Sequence, residues 1–153
     1  MDTASPSLSG KEQSLVAFVE QQTAARLRRL AYELRHTRQS MNEERVHDLR
    51  VAIRRLMETL RVTKGVLPEK GTAEVLDDLR KIMKDAGRVR GCDIAADLLR
   101  GAGAADDAAA LQQLAERRKV AEGKLYEHAQ QAYHRNATAK WRAMLMLDTR
   151  GGA

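Results

Sequence analysis

Aromatic side chains make up only 3% of this 153-residue chain, and there is a single cysteine, Cys92. The five aromatics, Phe18, Tyr32, Tyr126, Tyr133 and Trp141, are too few and too scattered for the stacking platforms that hold single-stranded nucleic acid. One cysteine excludes an internal disulfide and a CxxC metal knuckle, which leaves Cys92 as a small, partly buried apolar residue. No apolar run reaches the roughly 18 to 20 residues that a membrane-spanning helix needs. Even the best stretch, Leu15 to Leu34, is interrupted by Arg or Glu. Residues 1 to 14 carry neither a basic start nor an apolar segment of the secretory kind, so a cytoplasmic chain is expected.

What the chain does have is positive charge. Lys and Arg number 27 against 21 Asp and Glu, a net charge of +6, and such a surplus selects for an anionic partner. Gln22 to Lys64 holds 11 basic and 5 acidic residues, whereas Gly65 to Ala153 holds 15 and 13. The first stretch therefore carries a surplus equal to the whole net charge, and the anion-facing surface is expected at least partly there.

The periodicity is helical throughout, with no alternation of the strand type. After a loose leader, residues 1–10, a single domain is expected over residues 11–150. A first helix is expected from about Lys11 to Arg38, with Val16, Val19, Thr23, Leu27, Leu30 and Leu34 on one face. Asn42 is a good N-cap. Glu43 and Glu44 follow it in the first turn, where the helix dipole favours carboxylates, so a second helix runs to about Lys64. Thr72, Glu74 and the stripe Val75, Leu76, Leu79, Ile82, Met83 and Ala86 predict a third helix stopped at Gly87, and Gly91 and Gly101 bracket a short fourth. Leu111, Leu114, Ala121, Leu125 and Ala132 mark a long fifth, on whose inner stripe Arg118 is expected to snorkel or pair with a carboxylate. Asn136 caps a last short helix to Arg150. The expected class is all-α, an antiparallel bundle of four main helices with short extra ones.

The second helix is the informative one. With successive residues about 100° apart, Val46, Leu49, Ile53, Leu56 and Leu60 face the core, and His47, Arg50, Arg54 and Arg61 form a neighbouring ridge. Arg55, one step from Arg54, diverges from it. The third helix offers a comparable strip in Arg80, Lys81, Lys84 and Arg88, continued by Arg90. If the two strips face one groove, cations stand about 10 Å apart across it. Such a groove suits a flexible polyanion with closely spaced phosphates, since Arg binds phosphate oxygens bidentately and Lys adds mobile charge. The alternative is a set of solvated helix faces, neutralised in part by Asp48, Glu58, Asp77, Asp78 and Asp85 through neighbouring-turn pairing. His47 divides the same way, between a phosphate ligand that gains a proton on binding and a partner of Glu43 or Glu44.

No HExxH, Cys/His cluster, Walker loop, GxSxG elbow or kinase signature is present, so no catalytic residue, cofactor or metal site is expected. Three rival readings stand beside the polyanion binder. One is a DNA- or RNA-binding helical protein, disfavoured because no recognition helix is apparent. Another is a phosphohydrolase, disfavoured by the lack of a Mg²⁺-binding carboxylate cluster. The third is a structural bundle docking through Phe18 or the Trp141 helix.

The run from Glu44 to Leu56, Glu-Arg-Val-His-Asp-Leu-Arg-Val-Ala-Ile-Arg-Arg-Leu, followed by Leu60-Arg61, resembles the signature helix of the CHAD family, the conserved-histidine α-helical domain. Some 40 residues on, Ala86-Gly87-Arg88-Val89-Arg90-Gly91-Cys92-Asp93-Ile94 is similar to its second motif, a Leu-Gly turn leading to Arg-Asp-x-Asp-Val. The resemblance implies a non-enzymatic helical bundle that binds inorganic polyphosphate. It implies a binding role for His47, Arg50, Arg54, Arg55 and Arg61 from the first motif, and for Arg88 and Arg90 from the second. Lys81 and Lys84 are added by their place on the third-helix strip.

Met57, Thr63 and Gly91 depart from the pattern, standing where relatives carry Arg, an aromatic and Asp. Complete CHAD domains resemble two related bundles around a basic channel, yet only one histidine motif is found here. The resemblance thus implies either a homodimer that rebuilds the groove or weaker binding by one bundle. Relatives are often fused to a CYTH triphosphatase, whose ExExK string is absent. A phosphate-processing partner enzyme, if the protein serves one, would then be a separate polypeptide. A polyphosphate ligand would be compatible with association with polyphosphate granules in the cytoplasm, which the sequence itself leaves open.

Overall fold

The computed structural model describes residues 9–147. Five helices follow one another: α1 (Gly10–Gln39), α2 (Glu43–Val62), α3 (Glu69–Gly101), α4 (Ala109–His134) and α5 (Ala137–Met144). No strand occurs among the described residues, so the all-α expectation holds. The ends of the first two helices are set by local chemistry. Ser9 and Glu12 form a reciprocal capping box at the start of α1, and the Asn42 side chain accepts from the Arg45 amide at 2.9 Å at the start of α2.

Each main helix packs on its neighbours in sequence, and α1 meets α4 to close the ring. The core is one cluster to which all five helices contribute. Leu27, Leu30, Leu49, Ile53, Leu56, Leu60, Leu79, Leu125 and Leu145 are almost wholly buried in it, each contributing roughly 1.5–3 kcal/mol from removal of apolar surface from water. The helix α5 lies against α1, α3 and α4. Its closest approach depends on Gly71, where a Cβ would stand 2.0 Å from the Met144 carbonyl oxygen. Trp141 is buried there, its indole N–H donating to Asp78 at 3.0 Å. A docking role for the Trp141 face is thereby corrected: this side chain is core.

Three boundaries differ from expectation. The third helix does not stop at Gly87, and no separate fourth helix runs from Gly91 to Gly101: α3 is continuous for 33 residues. A glycine within a helix costs only about 1 kcal/mol, and Ala86, Val89 and Asp93, all buried, hold the segment in place on both sides of Gly87 and Gly91. The glycines that do turn the chain are Gly65 and Gly103, with φ of +91° and +94°. The start of α3 lies at Glu69 rather than Thr72, because Pro68 precedes it and the Thr72 amide already donates to the Pro68 carbonyl at 2.9 Å. Asn136 is left-handed (φ 49°, ψ 51°) and its side chain caps nothing. It makes the tight corner between α4 and α5, which ends at Met144. The expected last residues of that helix, 148–150, lie outside the described residues, as do residues 1–8 of the expected leader. No helix among the described residues is long and apolar enough to cross a membrane.

Candidate anion-binding groove

On α2, Glu43, His47, Arg50, Arg54 and Arg61 are spaced four, three, four and seven residues apart, which puts them on one stripe. Both ends of that stripe meet α3. At one end the Arg90 guanidinium donates to the Glu43 carboxylate at 2.7 Å. At the other, Arg61 and Lys64 line a groove of about 470 Å³ together with Leu76 and Arg80 of α3. Both ends of the ridge thus lie along the α2–α3 seam.

His47, Arg54, Arg55 and Arg61 are exposed, and among the described residues none of them has a carboxylate partner. His47 is bonded to neither Glu43, which is taken by Arg90, nor Glu44. Asp48 and Glu58 likewise form no ion pair with the ridge. Arg50 is half-buried and its Nε is sealed from solvent without a hydrogen-bond partner. A buried donor left unpaired costs about 1–3 kcal/mol, and a charged one more. Arg55 stands one helical step beyond Arg54 and projects away from the seam.

The α3 strip divides. Arg80 and Arg90 face α2, but Lys81 lines a depression with His128 and Trp141, and Arg88 lines another with Arg117 and Lys124 of α4. The expected single row of α3 cations opposite α2 is thus corrected, because residues 81 and 88 lie about 100° and 80° around the helix from residue 80. Lys84 is exposed on the outer face between the two sides. Loose pairs at 3.8–3.9 Å join Arg80 and Lys81 to Asp77, and Arg88 to Asp85. At such distances and exposures they are worth at most about 1 kcal/mol, so an incoming phosphate can displace them.

Beside the groove, another half-buried arginine is tightly held. Arg118 donates to Asp93 at 2.7 Å, to Glu122 at 2.8 Å and to the Met41 carbonyl at 2.7 Å. The hydrogen bond to Asp93 holds its pKa above the usual arginine value against the opposing effect of burial. This tie, joining α4 to α3 and to the α1–α2 turn, is the carboxylate pairing expected for Arg118. His128 pairs with the buried Asp85, His36 meets the Tyr32 carbonyl at 2.8 Å, and no metal-binding cluster of His, Cys, Asp or Glu occurs among the described residues.

The profile of the CHAD domain matches residues 21–152. The chain belongs to the CHAD family. Nothing among curated proteins or solved structures matches it. A CHAD domain is a binding domain, not itself catalytic, and the family is associated with polyphosphate. Sequence reasoning did not single out Arg117 and Lys124 of α4. Their seven-residue spacing was a signal, but it gained meaning only once α4 was packed beside Arg88.

Proposed function

We propose that this CHAD domain binds inorganic polyphosphate without chemical change, along the groove between α2 and α3. His47, Arg50, Arg54 and Arg61 supply the α2 wall, with Arg80 and Arg90 opposite. Arg55, Lys81, Lys84 and Arg88 extend the cationic field around it. The observation that carries this reading is Arg50: a guanidinium whose Nε is buried and unpartnered, on a stripe whose cations form no ion pair among the described residues, fits a site built for an anion that arrives from outside. Binding takes place in the cytoplasm, at polyphosphate granules.

The test is calorimetric titration with long-chain polyphosphate, and with duplex DNA at equal phosphate concentration, at two ionic strengths. Polyphosphate binding that is tighter than DNA binding, and that weakens steeply with salt through counterion release, is the expected result. Equal affinity for DNA would favour a generic polyanion surface, and phosphate release with Mg²⁺ would make the protein a hydrolase. Light-scattering mass in the same samples counts chains: one for a single-bundle groove, two for a homodimer that pairs two grooves.

A further inference from the structure

Arg80, Lys84 and Arg88 succeed one another at four-residue intervals on α3. Each step climbs the helix by about 6 Å and rotates about 40° around it, so the row is oblique rather than axial. Its two ends open into different grooves. Arg80 lines the α2–α3 groove with Arg61, whereas Arg88 lines a groove of about 550 Å³ between α3 and α4. Lys84, exposed, bridges them over the outer face of α3.

The α3–α4 groove has cations on both walls and no carboxylate. Its α4 wall presents Arg117 and Lys124, two turns apart on one face, with Val120 between them. Both cations are exposed and without an ion pair among the described residues. On the α3 wall, Gly91 has open space where a side chain would begin, so the floor beside Arg88 is unobstructed. Asp85, the acid beside Arg88, is buried, engaged by His128 and only loosely paired with Arg88 at 3.8 Å.

We infer that a long polyphosphate does not end in the α2–α3 groove but crosses α3 along Arg80, Lys84 and Arg88, and that its continuation is held in the α3–α4 groove by Arg117 and Lys124. This inference rests on the polyphosphate reading of the first groove. It adds a second subsite that only a polymer long enough to span α3 reaches; a short oligophosphate occupies the first groove alone. Chain-length preference is then set by the walk across one helix.

The experiment pairs Arg117→Glu/Lys124→Glu with a control of equal charge change away from both grooves, Lys11→Glu/Lys119→Glu. Each is titrated with tripolyphosphate and with long-chain polyphosphate across a salt series, and helicity is checked by circular dichroism. The groove variant is expected to lose about tenfold in affinity for the long chain. Its salt slope should fall by roughly 1.5, at about 0.7–0.9 per phosphate contact removed. Tripolyphosphate binding should match the control. An unchanged slope and affinity for the long chain, or an equal loss in the control, overturns the second subsite while leaving the first intact. A wild-type protein that binds neither probe overturns the polyphosphate reading itself.

Discussion

Two half-buried arginines sit at different seams of the same bundle. Arg118, between α3 and α4, is held by two carboxylates and a carbonyl, all at 2.7–2.8 Å. Arg50, on the α2 ridge, has a buried Nε and no partner. The cost of desolvating a guanidinium is met internally in the first case and left open in the second. A buried cation with its anion supplied by the fold holds helices together. One without it, on the proposed reading, stands where the anion is the ligand. Arg54 and Arg61 are likewise tied to nothing among the described residues, whereas Arg90 on the facing wall is tied to Glu43 and would have to exchange it for the ligand.

Removing Arg118 should have the largest effect on folding. Arg118→Met leaves Asp93 buried without its cation, and is expected to cost about 3 kcal/mol in urea unfolding, less than for a fully buried pair because the arginine is partly exposed. Polyphosphate affinity of the folded protein should be unchanged. Arg50→Met should do the reverse. The thioether keeps the packed stem and removes the orphaned donor, so stability should hold within about 1 kcal/mol. Affinity for polyphosphate should drop about ten- to hundredfold, the equivalent of a lost charge-assisted hydrogen bond. If both variants lost stability alike, the contrast between the two arginines would dissolve.

Smaller changes sharpen it. Gly87→Ala lies in the middle of α3 with nothing within 4 Å of the new methyl and should raise stability by about 1 kcal/mol, measured as a higher unfolding midpoint. A fall would mean that the glycine is needed for more than helix continuity. The smallest effect concerns acid. Glu12 is held below its ordinary pKa by hydrogen bonds from the Ser9 backbone and side chain. Its contribution is therefore present above pH 4.5 and lost as pH falls through the lowered folded value. Amide exchange in the first turn of α1 should quicken over that range, with the groove unaffected.

Much of this was legible in the sequence. Asn42 and the spacing of Val46, Leu49, Ile53, Leu56 and Leu60 place α2 and leave one side for His47, Arg50, Arg54 and Arg61. Arg118 on an apolar stripe pointed to a carboxylate partner, and Asp93 is that partner. What periodicity could not supply is the side on which each neighbour lies. Arg80, Lys81, Lys84 and Arg88 read as one strip because all avoid the core, yet α2 and α4 flank α3 on opposite sides and divide them. Gly87 misled for a related reason. Glycine ends a helix when the backbone turns left-handed after it, as at Gly103, and burial of Ala86 and Val89 on the core side prevents that turn.

The most direct test of the central claim is the guanidinium Nε–H resonance of each arginine, followed by nitrogen–proton correlation spectroscopy as long-chain polyphosphate is added. The Arg50 signal is predicted to shift as phosphate oxygens engage its guanidinium, with that of Arg118 unmoved. Saturating polyphosphate that leaves Arg50 unchanged would contradict the assignment of the α2–α3 groove as the binding site.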